Sequence, residues 1–137
     1  MTTQNLAENA SRQDGFAQFD LAQAMKEAER QKPWQQGHTA RMLLKKANFR
    51  VVLISMEKES VLKEHHADGP ISVQVLKGSI RFSAQGEAPT LGIGNIITLG
   101  ASIKHEVVAL EDSAFLVTIA WPDGEKLEAL QHRGYGS

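Results

Sequence analysis

The feature that most constrains the fold is a succession of short segments after Gly37, each rich in β-branched or aromatic residues and separated from the next by turn residues. No crossover helices are predicted between them, which argues against a parallel α/β architecture. Closing such strands on themselves removes exposed edges and leaves a small interior pocket. We therefore expect an all-β fold, a small antiparallel β-barrel or jelly roll, with strands at residues 39–46, 49–56, 71–76, 79–84, 95–99, 104–110 and 114–121.

Two of the separating segments predict how neighbouring strands connect. Gln85-Gly86 has the composition of a two-residue hairpin turn. Residues 111–113, with the sequence Glu-Asp-Ser, predict a second hairpin that pairs segment 104–110 with segment 114–121.

One helix is expected before the strands. Asp20 is placed to cap its first turn, and Gln23 is placed to reach back to the cap. Pro33 cannot continue a helix, so the helix should end before it and cover about residues 20–32. The apolar residues at helical spacing, which predict the packed face, are Leu21, Ala24, Met25 and Ala28.

The periodicity also predicts the domain organisation. Residues 1–15 are polar and have neither helical nor strand periodicity, so we expect a flexible tail. Residues 16–137 are expected to form a single barrel domain, with the barrel itself at about 39–121. Within it, residues 125–131 predict a short helix and residues 132–137 a frayed end.

Composition excludes several classes of partner and site. The net charge of the 137 residues is −1, with acids and bases mixed, which predicts no nucleic-acid partner and no anionic membrane surface. With no cysteine, a metal must be held by imidazole, carboxylate, amide or water. The N-terminus lacks a basic start followed by an apolar core, and no apolar run approaches the ~20 residues of a spanning helix, so we expect a cytoplasmic protein.

Sequence motifs for three common enzyme classes are missing. The chain has no nucleophile-elbow serine, no G-x-x-x-x-G-K-[ST] stretch and no G-x-G-x-x-G loop that opens a helix. The glycines are spaced as in hairpins instead.

The candidate site centres on two adjacent histidines, His65 and His66, which lie just before the segment 71–76. Histidine is the usual side chain for metal binding and proton transfer near neutral pH. Neighbouring side chains of an extended strand point to opposite faces, so only one of the two is expected to face the barrel interior.

The segment 71–76 predicts the wall of a ligand pocket. Alternation places Ile71, Val73 and Val75 on the inner face. Gln74 lies on the alternate face, where it lines either a subunit contact or the pocket. These four residues are our candidate ligand-binding residues.

Three basic residues in the strand segments are expected to be solvated: Arg50, Arg81 and Lys104. Any of them turned inward would indicate an anionic ligand.

Several of these residues resemble the two motifs of the cupin superfamily. They are His65-His66, the run Val75-Leu76-Lys77-Gly78, and Gly94 followed eleven residues later by His105. The resemblance covers about residues 51–121. It implies a β-barrel in which three histidines and one glutamate hold a divalent metal.

The motif positions can be assigned one by one. Counted back from Gly78, the glutamate position is occupied by Ile71. The two first-motif histidine positions are Glu64 and His66 with a four-residue spacer, or His65 and Ala67 with a three-residue spacer. The metal ligands implied by the resemblance are therefore His65 or His66, His105 and Glu64, around Zn²⁺, Mn²⁺, Fe²⁺ or Ni²⁺.

Three functions remain open. The first is a small barrel protein that binds a small molecule in its interior, with or without a divalent metal. The second is a metal-dependent dioxygenase or isomerase that uses His66 and His105. The third is a structural or partner-binding barrel. For each we expect a homodimer, formed through the segments 39–46 and 49–56 and the N-terminal helix.

Overall fold

The computed structural model describes residues 15–121. It has one α-helix, α1 (Leu21–Arg30), a 3₁₀ turn at Gln35–Gly37, and the following strands: β1 (His38–Lys45), β2 (Phe49–Met56), β3 (Val61–His65), β4 (Ile71–Lys77), β5 (Ser79–Ala84), β6 (Thr90–Gly92), β7 (Ile96–Leu99), β8 (His105–Ala109) and β9 (Ser113–Ala120). The predicted tail at 1–15, apart from Gly15, the predicted helix at 125–131 and the predicted frayed end at 132–137 lie outside the described residues.

The strands form two antiparallel sheets. One sheet has the order β1-β2-β9-β4-β7, and the other has the order β3-β8-β5-β6. Consecutive strands repeatedly change sheet, so that the two sheets enclose one core between them. The prediction of an all-β jelly roll with one N-terminal helix is confirmed.

Helix α1 begins and ends where the sequence predicts. The Asp20 side chain accepts a hydrogen bond of 3.0 Å from the backbone N–H of Gln23, and the helix ends at Arg30, before Pro33. The helix lies on the outer face of the five-stranded sheet, where Ala24 packs with Leu43 and Leu53.

The main core lies between the inner faces of the two sheets. In β4 the side chains of Ile71, Val73 and Val75 are buried, as the alternation predicts. Gln74 is exposed on the outer face of the same strand, so the prediction that it could line the pocket is wrong. The reason is the strict two-residue period of the strand, which allows only one parity to reach the interior.

The strand prediction needs three corrections: two strands were missed and one hairpin is wrong. Strands β3 and β6 were not predicted, because β3 is largely polar and β6 has only three residues. The Gln85-Gly86 hairpin is present between β5 and β6. The hairpin predicted at residues 111–113 is wrong, because β8 and β9 belong to different sheets and this turn connects one sheet to the other.

The edges of the five-stranded sheet are β1 and β7. Strand β1 is one of the elements through which a homodimer was predicted, and that dimer stays a prediction. Among residues 15–121, the structure contains no helix with the length and apolar character needed to cross a membrane.

Gly78 makes the tight connection between β4 and β5. Its φ is +74°, and a Cβ at this position would collide with the backbone carbonyl oxygen of Asp112 and with the Ser113 hydroxyl. This close approach brings the β4–β5 connection against the β8–β9 connection, so Gly78 couples the two sheets at one end of the barrel.

We predict that Gly78→Ala lowers the free energy of unfolding more than Gly86→Ala. Both glycines have positive φ, which costs an L-residue about 1–2 kcal/mol. Of these two glycines, only Gly78 lacks space for a Cβ, and overpacking there adds about 1–3 kcal/mol to the cost of the substitution. Urea unfolding of the two variants measures the difference, and equal losses would show that the contact with Asp112 relaxes without cost.

Candidate functional site

Polar side chains on the inner faces of the two sheets lie at one end of the barrel. Across the five-stranded sheet, the inward residues in register there are Arg50, Ile119, Ile71 and Leu99. Across the other sheet they are His65, His105 and Ala84. The loops 66–70 and 100–104 join the two rows, which places them at the same end. We call this set of residues the barrel mouth.

His65 and His105 are brought together by their register. They are opposite each other on β3 and β8, and their ring centroids are 4.4 Å apart with an interplanar angle of 59°. A shift of register between Leu62 and His65 marks an irregularity in β3. Because a bulge changes which residues of a strand share a face, His65 lies beside His105 on the inner side.

Phe82 supports the other side of the His105 ring. Its centroid lies 5.2 Å from that of His105, and the two rings are nearly parallel, at 12°. His105 is therefore held between an aromatic ring and a second imidazole, and only 2% of its surface is exposed.

Both imidazoles are oriented by backbone carbonyls. Nδ1 of His65 lies 2.7 Å from the oxygen of Lys63, and Nδ1 of His105 lies 3.0 Å from the oxygen of Ile103. A carbonyl oxygen only accepts, so each Nδ1 carries a proton and donates it. In the neutral ring the lone pair is then on Nε2, which becomes the basic and metal-binding atom of each ring.

Burial lowers the pKa of His105. The largest cause is desolvation of the charged ring, and the nearby rings of His65 and His66 lower the pKa further. The hydrogen bond with Ile103 opposes this effect. The lowered pKa favours the neutral ring at pH 7, in which Nε2 carries the lone pair.

The other predicted metal ligands do not take part in the contact between the His65 and His105 rings. His66 is in the loop after β3, where its Nε2 is 3.6 Å from a carboxylate oxygen of the buried Asp68. Glu64 is exposed to solvent. Ile71, at the glutamate position of the motif, packs in the apolar core. The pairing of His66 with His105 is thus corrected to His65 with His105.

A divalent metal can be tested against this donor set. Within residues 15–121 no group of three or more histidine, aspartate or glutamate side chains is arranged to hold a metal ion. The barrel mouth supplies two imidazoles, whereas resident catalytic metals usually have three protein ligands. The described residues therefore do not fit the four-ligand set that the resemblance implies.

Arg50 is a buried charged residue whose inward position differs from the sequence prediction. It is 4% exposed and faces inward, so the expectation that it is solvated is wrong, whereas Arg81 and Lys104 are exposed as expected. Its guanidinium carbon lies 4.7 Å from the ring centre of Trp121. Burial lowers the pKa of Arg50 from its usual high value. The alternation of β2 could have predicted this inward position, because Arg50 lies on the same face of the strand as Val52 and Ile54.

A cleft opens beside Ala84 and Leu99 of the barrel mouth. It has a volume of about 610 Å³. Apolar side chains of β5 and β7 form its inner wall, and the β5–β6 turn forms its rim; the lining residues are Phe82, Ala84, Gln85, Glu87, Ala88, Pro89, Ile97 and Leu99. Because Phe82 lines the cleft and stacks on His105, the cleft lies next to the imidazole pair.

Comparisons with known proteins support the fold. Neither a protein-family model nor a curated protein sequence matches the chain significantly. Among solved structures, a cupin superfamily protein from Desulfitobacterium hafniense is 13% identical, with a TM-score of 0.63 over 69% of this chain and 87% of that chain. KdgF from Halomonas sp. is 18% identical, with a TM-score of 0.60 over 69% and 88%.

A third similar structure is an oxalate decarboxylase from Bacillus subtilis, described with Mn(II) centres. It is 18% identical, with a TM-score of 0.59 over 64% of this chain and 26% of that chain. At these identities the similarity shows a shared fold and nothing about the ligand.

We predict that the protein loses stability as the pH falls below about 6.5, the unperturbed pKa of histidine. The pKa of His105 is lowered in the folded state, so the unfolded state binds the proton first. Stability is complete above the unfolded pKa and decreases toward the folded pKa, by at most about 1.4 kcal/mol per pH unit for one group.

Urea unfolding at pH 7.5 and pH 5.5 measures this loss. It should be smaller in His105→Gln than in the unchanged protein. His38→Gln is the comparison variant. Burial also lowers the pKa of His38, but this residue is less buried than His105, so its replacement should reduce the pH-dependent loss of stability by less. A pH dependence unchanged in His105→Gln would contradict the prediction.

Proposed function

The chain has the cupin fold, and from this premise we propose that it binds a small organic molecule at the barrel mouth, with the His65–His105 pair as a polar contact. The observation that carries the proposal is the cleft beside Phe82 and His105. Its volume of about 610 Å³ lies in the range of ligand sites, roughly 300–1,000 Å³.

The chemistry of the cleft supports this function. Ligand sites usually combine apolar walls with a few fixed polar groups. Here Phe82, Ile97 and Leu99 supply apolar surface. The two imidazoles are held by backbone carbonyls, so their Nε2 atoms are fixed before a ligand arrives. Such preorganisation reduces the entropy lost on binding.

The direction of hydrogen bonding follows from the tautomers. A neutral imidazole with its proton on Nδ1 accepts at Nε2, so it suits a ligand hydroxyl or N–H group. His65 is only half-buried, which lets a molecule entering the barrel mouth reach it. His105 is buried behind it and stabilises the position of the His65 ring.

A metal-dependent enzyme is the second candidate, and one observation favours it. Metal-ligating histidines usually donate the other ring N–H to a carbonyl or carboxylate, and both His65 and His105 do so. Zn²⁺, Mn²⁺, Fe²⁺ and Ni²⁺ all accept imidazole ligands. Two imidazoles alone would hold such an ion loosely, and the metal would act as a Lewis acid for a bound oxygen ligand.

We predict that small organic fragments bind at the barrel mouth through His65. In a fragment screen followed by NMR of histidine-labelled protein, bound fragments should shift the ring signals of His65 and His105. His65→Ala should weaken binding about tenfold, the loss expected from one hydrogen bond together with contact area.

The matched control is His38→Ala, whose histidine lies at the start of β1, outside the barrel mouth. It should leave the affinities unchanged. Fragments that shift only the signals of residues around helix α1 would place the binding site elsewhere and contradict the proposal.

Elemental analysis separates the two candidates. Protein purified without chelator should contain less than about a tenth of an equivalent of any transition metal, because two imidazoles are too few for a tight site. A full equivalent that disappears in His105→Ala but persists in His38→Ala would favour the metal-dependent enzyme instead.

A further inference from the structure

We propose that a cavity beneath helix α1 is a second small-molecule site, which binds an uncharged aromatic compound with one polar group. This helix cavity has a volume of about 270 Å³ and lies between one face of α1 and the residues Ser55 and Ala114 of the five-stranded sheet. Ser55 is near the end of β2 away from Arg50, so the helix cavity lies at the opposite end of the barrel from the barrel mouth. The inference is therefore independent of the proposed function.

The floor of the helix cavity follows from the side chains on the outer face of the sheet. Leu53 of β2 and Leu116 of β9 are opposite each other, and both pack in the cluster beneath α1. The next pair on this face, two residues away on each strand, is Ser55 with Ala114. These two side chains are much smaller than leucine, so they leave space under the helix.

One face of α1 forms the roof of the helix cavity. Ala22, Met25, Lys26 and Glu29 line it, and their spacing of three and four residues places them on the same face of the helix. Ala22 has a small side chain that leaves room for a ligand, whereas Met25 supplies a flexible thioether. Methionine makes favourable contacts with aromatic rings and adapts to their shape. The roof therefore suits an aromatic ligand.

Trp34 adds an aromatic surface to the wall of the helix cavity. Its indole N–H donates to the carbonyl oxygen of Ala28 at 2.8 Å, and the Lys32 ammonium lies 4.6 Å from the centre of its ring. Both contacts hold the ring in place, and aromatic rings interact favourably in stacked or edge-to-face arrangements. A cavity of about 150 Å³ binds benzene, so about 270 Å³ has room for two fused rings.

The hydroxyl of Ser55 supplies a polar group on the floor. Ser55 is only 5% exposed, and no residue among 15–121 is found hydrogen-bonded to its hydroxyl. A largely buried hydroxyl is stabilised by a hydrogen bond, and a serine hydroxyl can donate or accept. A ligand with one hydroxyl or N–H group that reaches the floor supplies this bond.

The charges around the helix cavity favour an uncharged ligand. Its lining contains two cations, Lys26 and Lys77, and two anions, Glu29 and Asp112, so the formal charges cancel. Lys77 Nζ lies 3.3 Å from a carboxylate oxygen of Glu29. A carboxylate oxygen of Asp112 accepts a hydrogen bond of 2.9 Å from the backbone N–H of Lys58. Neither an anion nor a cation finds an excess of opposite charge there.

The test is an NMR titration of the full chain with 2-naphthol, which has two fused rings and one hydroxyl group. The sequence contains four methionines and two tryptophans, so labelled methionine methyl groups and indole N–H groups give few signals. 2-Naphthol should shift the Met25 methyl and Trp34 indole signals. The Met42 methyl signal should stay unchanged, because Met42 lies on β1 and does not line the helix cavity.

Two comparison compounds test the chemical class. Naphthalene lacks the hydroxyl and should bind about fivefold more weakly than 2-naphthol, the effect of one neutral hydrogen bond. Ser55→Ala should remove this difference, because it removes the partner of the ligand hydroxyl. 2-Naphthoate carries a negative charge and should bind at least about tenfold more weakly than 2-naphthol, since no excess positive charge offsets its desolvation.

Ala22→Phe tests the location of the site. Ala22 is exposed on α1 and lines the helix cavity, so the larger side chain should fill the space and abolish the titration shift of Met25. Ala47→Phe is the matched control, because Ala47 is exposed in the turn between β1 and β2, outside the helix cavity. It should leave binding unchanged. If Ala22→Phe does not fold, the comparison of 2-naphthol with naphthalene in wild type and Ser55→Ala still decides the inference.

Three outcomes would overturn the inference. If 2-naphthol shifts neither Met25 nor Trp34, the helix cavity is not a binding site, and the signals of His65 and His105 report separately on the barrel mouth. If 2-naphthoate binds as tightly as 2-naphthol, the preference for an uncharged ligand is wrong. If the Met25 signal changes with protein concentration in the absence of any ligand, a second copy of the chain covers the helix cavity instead.

Discussion

The structure depends on the burial of the inner faces of two antiparallel sheets against each other. Strand β9 lies at the centre of one sheet, between β2 and β4, and β8 occupies the corresponding place in the other, between β3 and β5. Large side chains such as Phe82, Phe115 and Ile80 are almost completely buried between them. Each such side chain contributes about 1.5–3 kcal/mol on burial, so this layer stabilises the barrel more than any polar contact does.

The same packing determines the chemistry of the barrel mouth. Side chains at the end of a strand still alternate between the two faces of the sheet. A polar residue on the inner face is therefore held in apolar surroundings. Arg50 and His105 are such residues, and desolvation lowers the pKa of both. Burial of such groups is costly unless each has specific partners.

The two walls of the barrel mouth have different characters. The four-stranded sheet presents two imidazoles with fixed tautomers, and the five-stranded sheet presents a guanidinium over an indole. Ile71 and Leu99 separate these polar groups with apolar surface. The isoleucine at the glutamate position of the motif explains why this arrangement differs from a four-ligand metal centre.

The sequence by itself determined the all-β class, the capped helix, most of the strands and the inward parity of Ile71, Val73 and Val75, because these follow from local periodicity and turn chemistry. It also identified His65 and His105 as candidates. Only the tertiary structure decided that His65 and not His66 meets His105, that Arg50 faces the interior, and that residues 111–113 connect two sheets. Alternation determines which residues of one strand share a face. Long-range packing determines where a bulge forms, which face points inward and which distant strands pair.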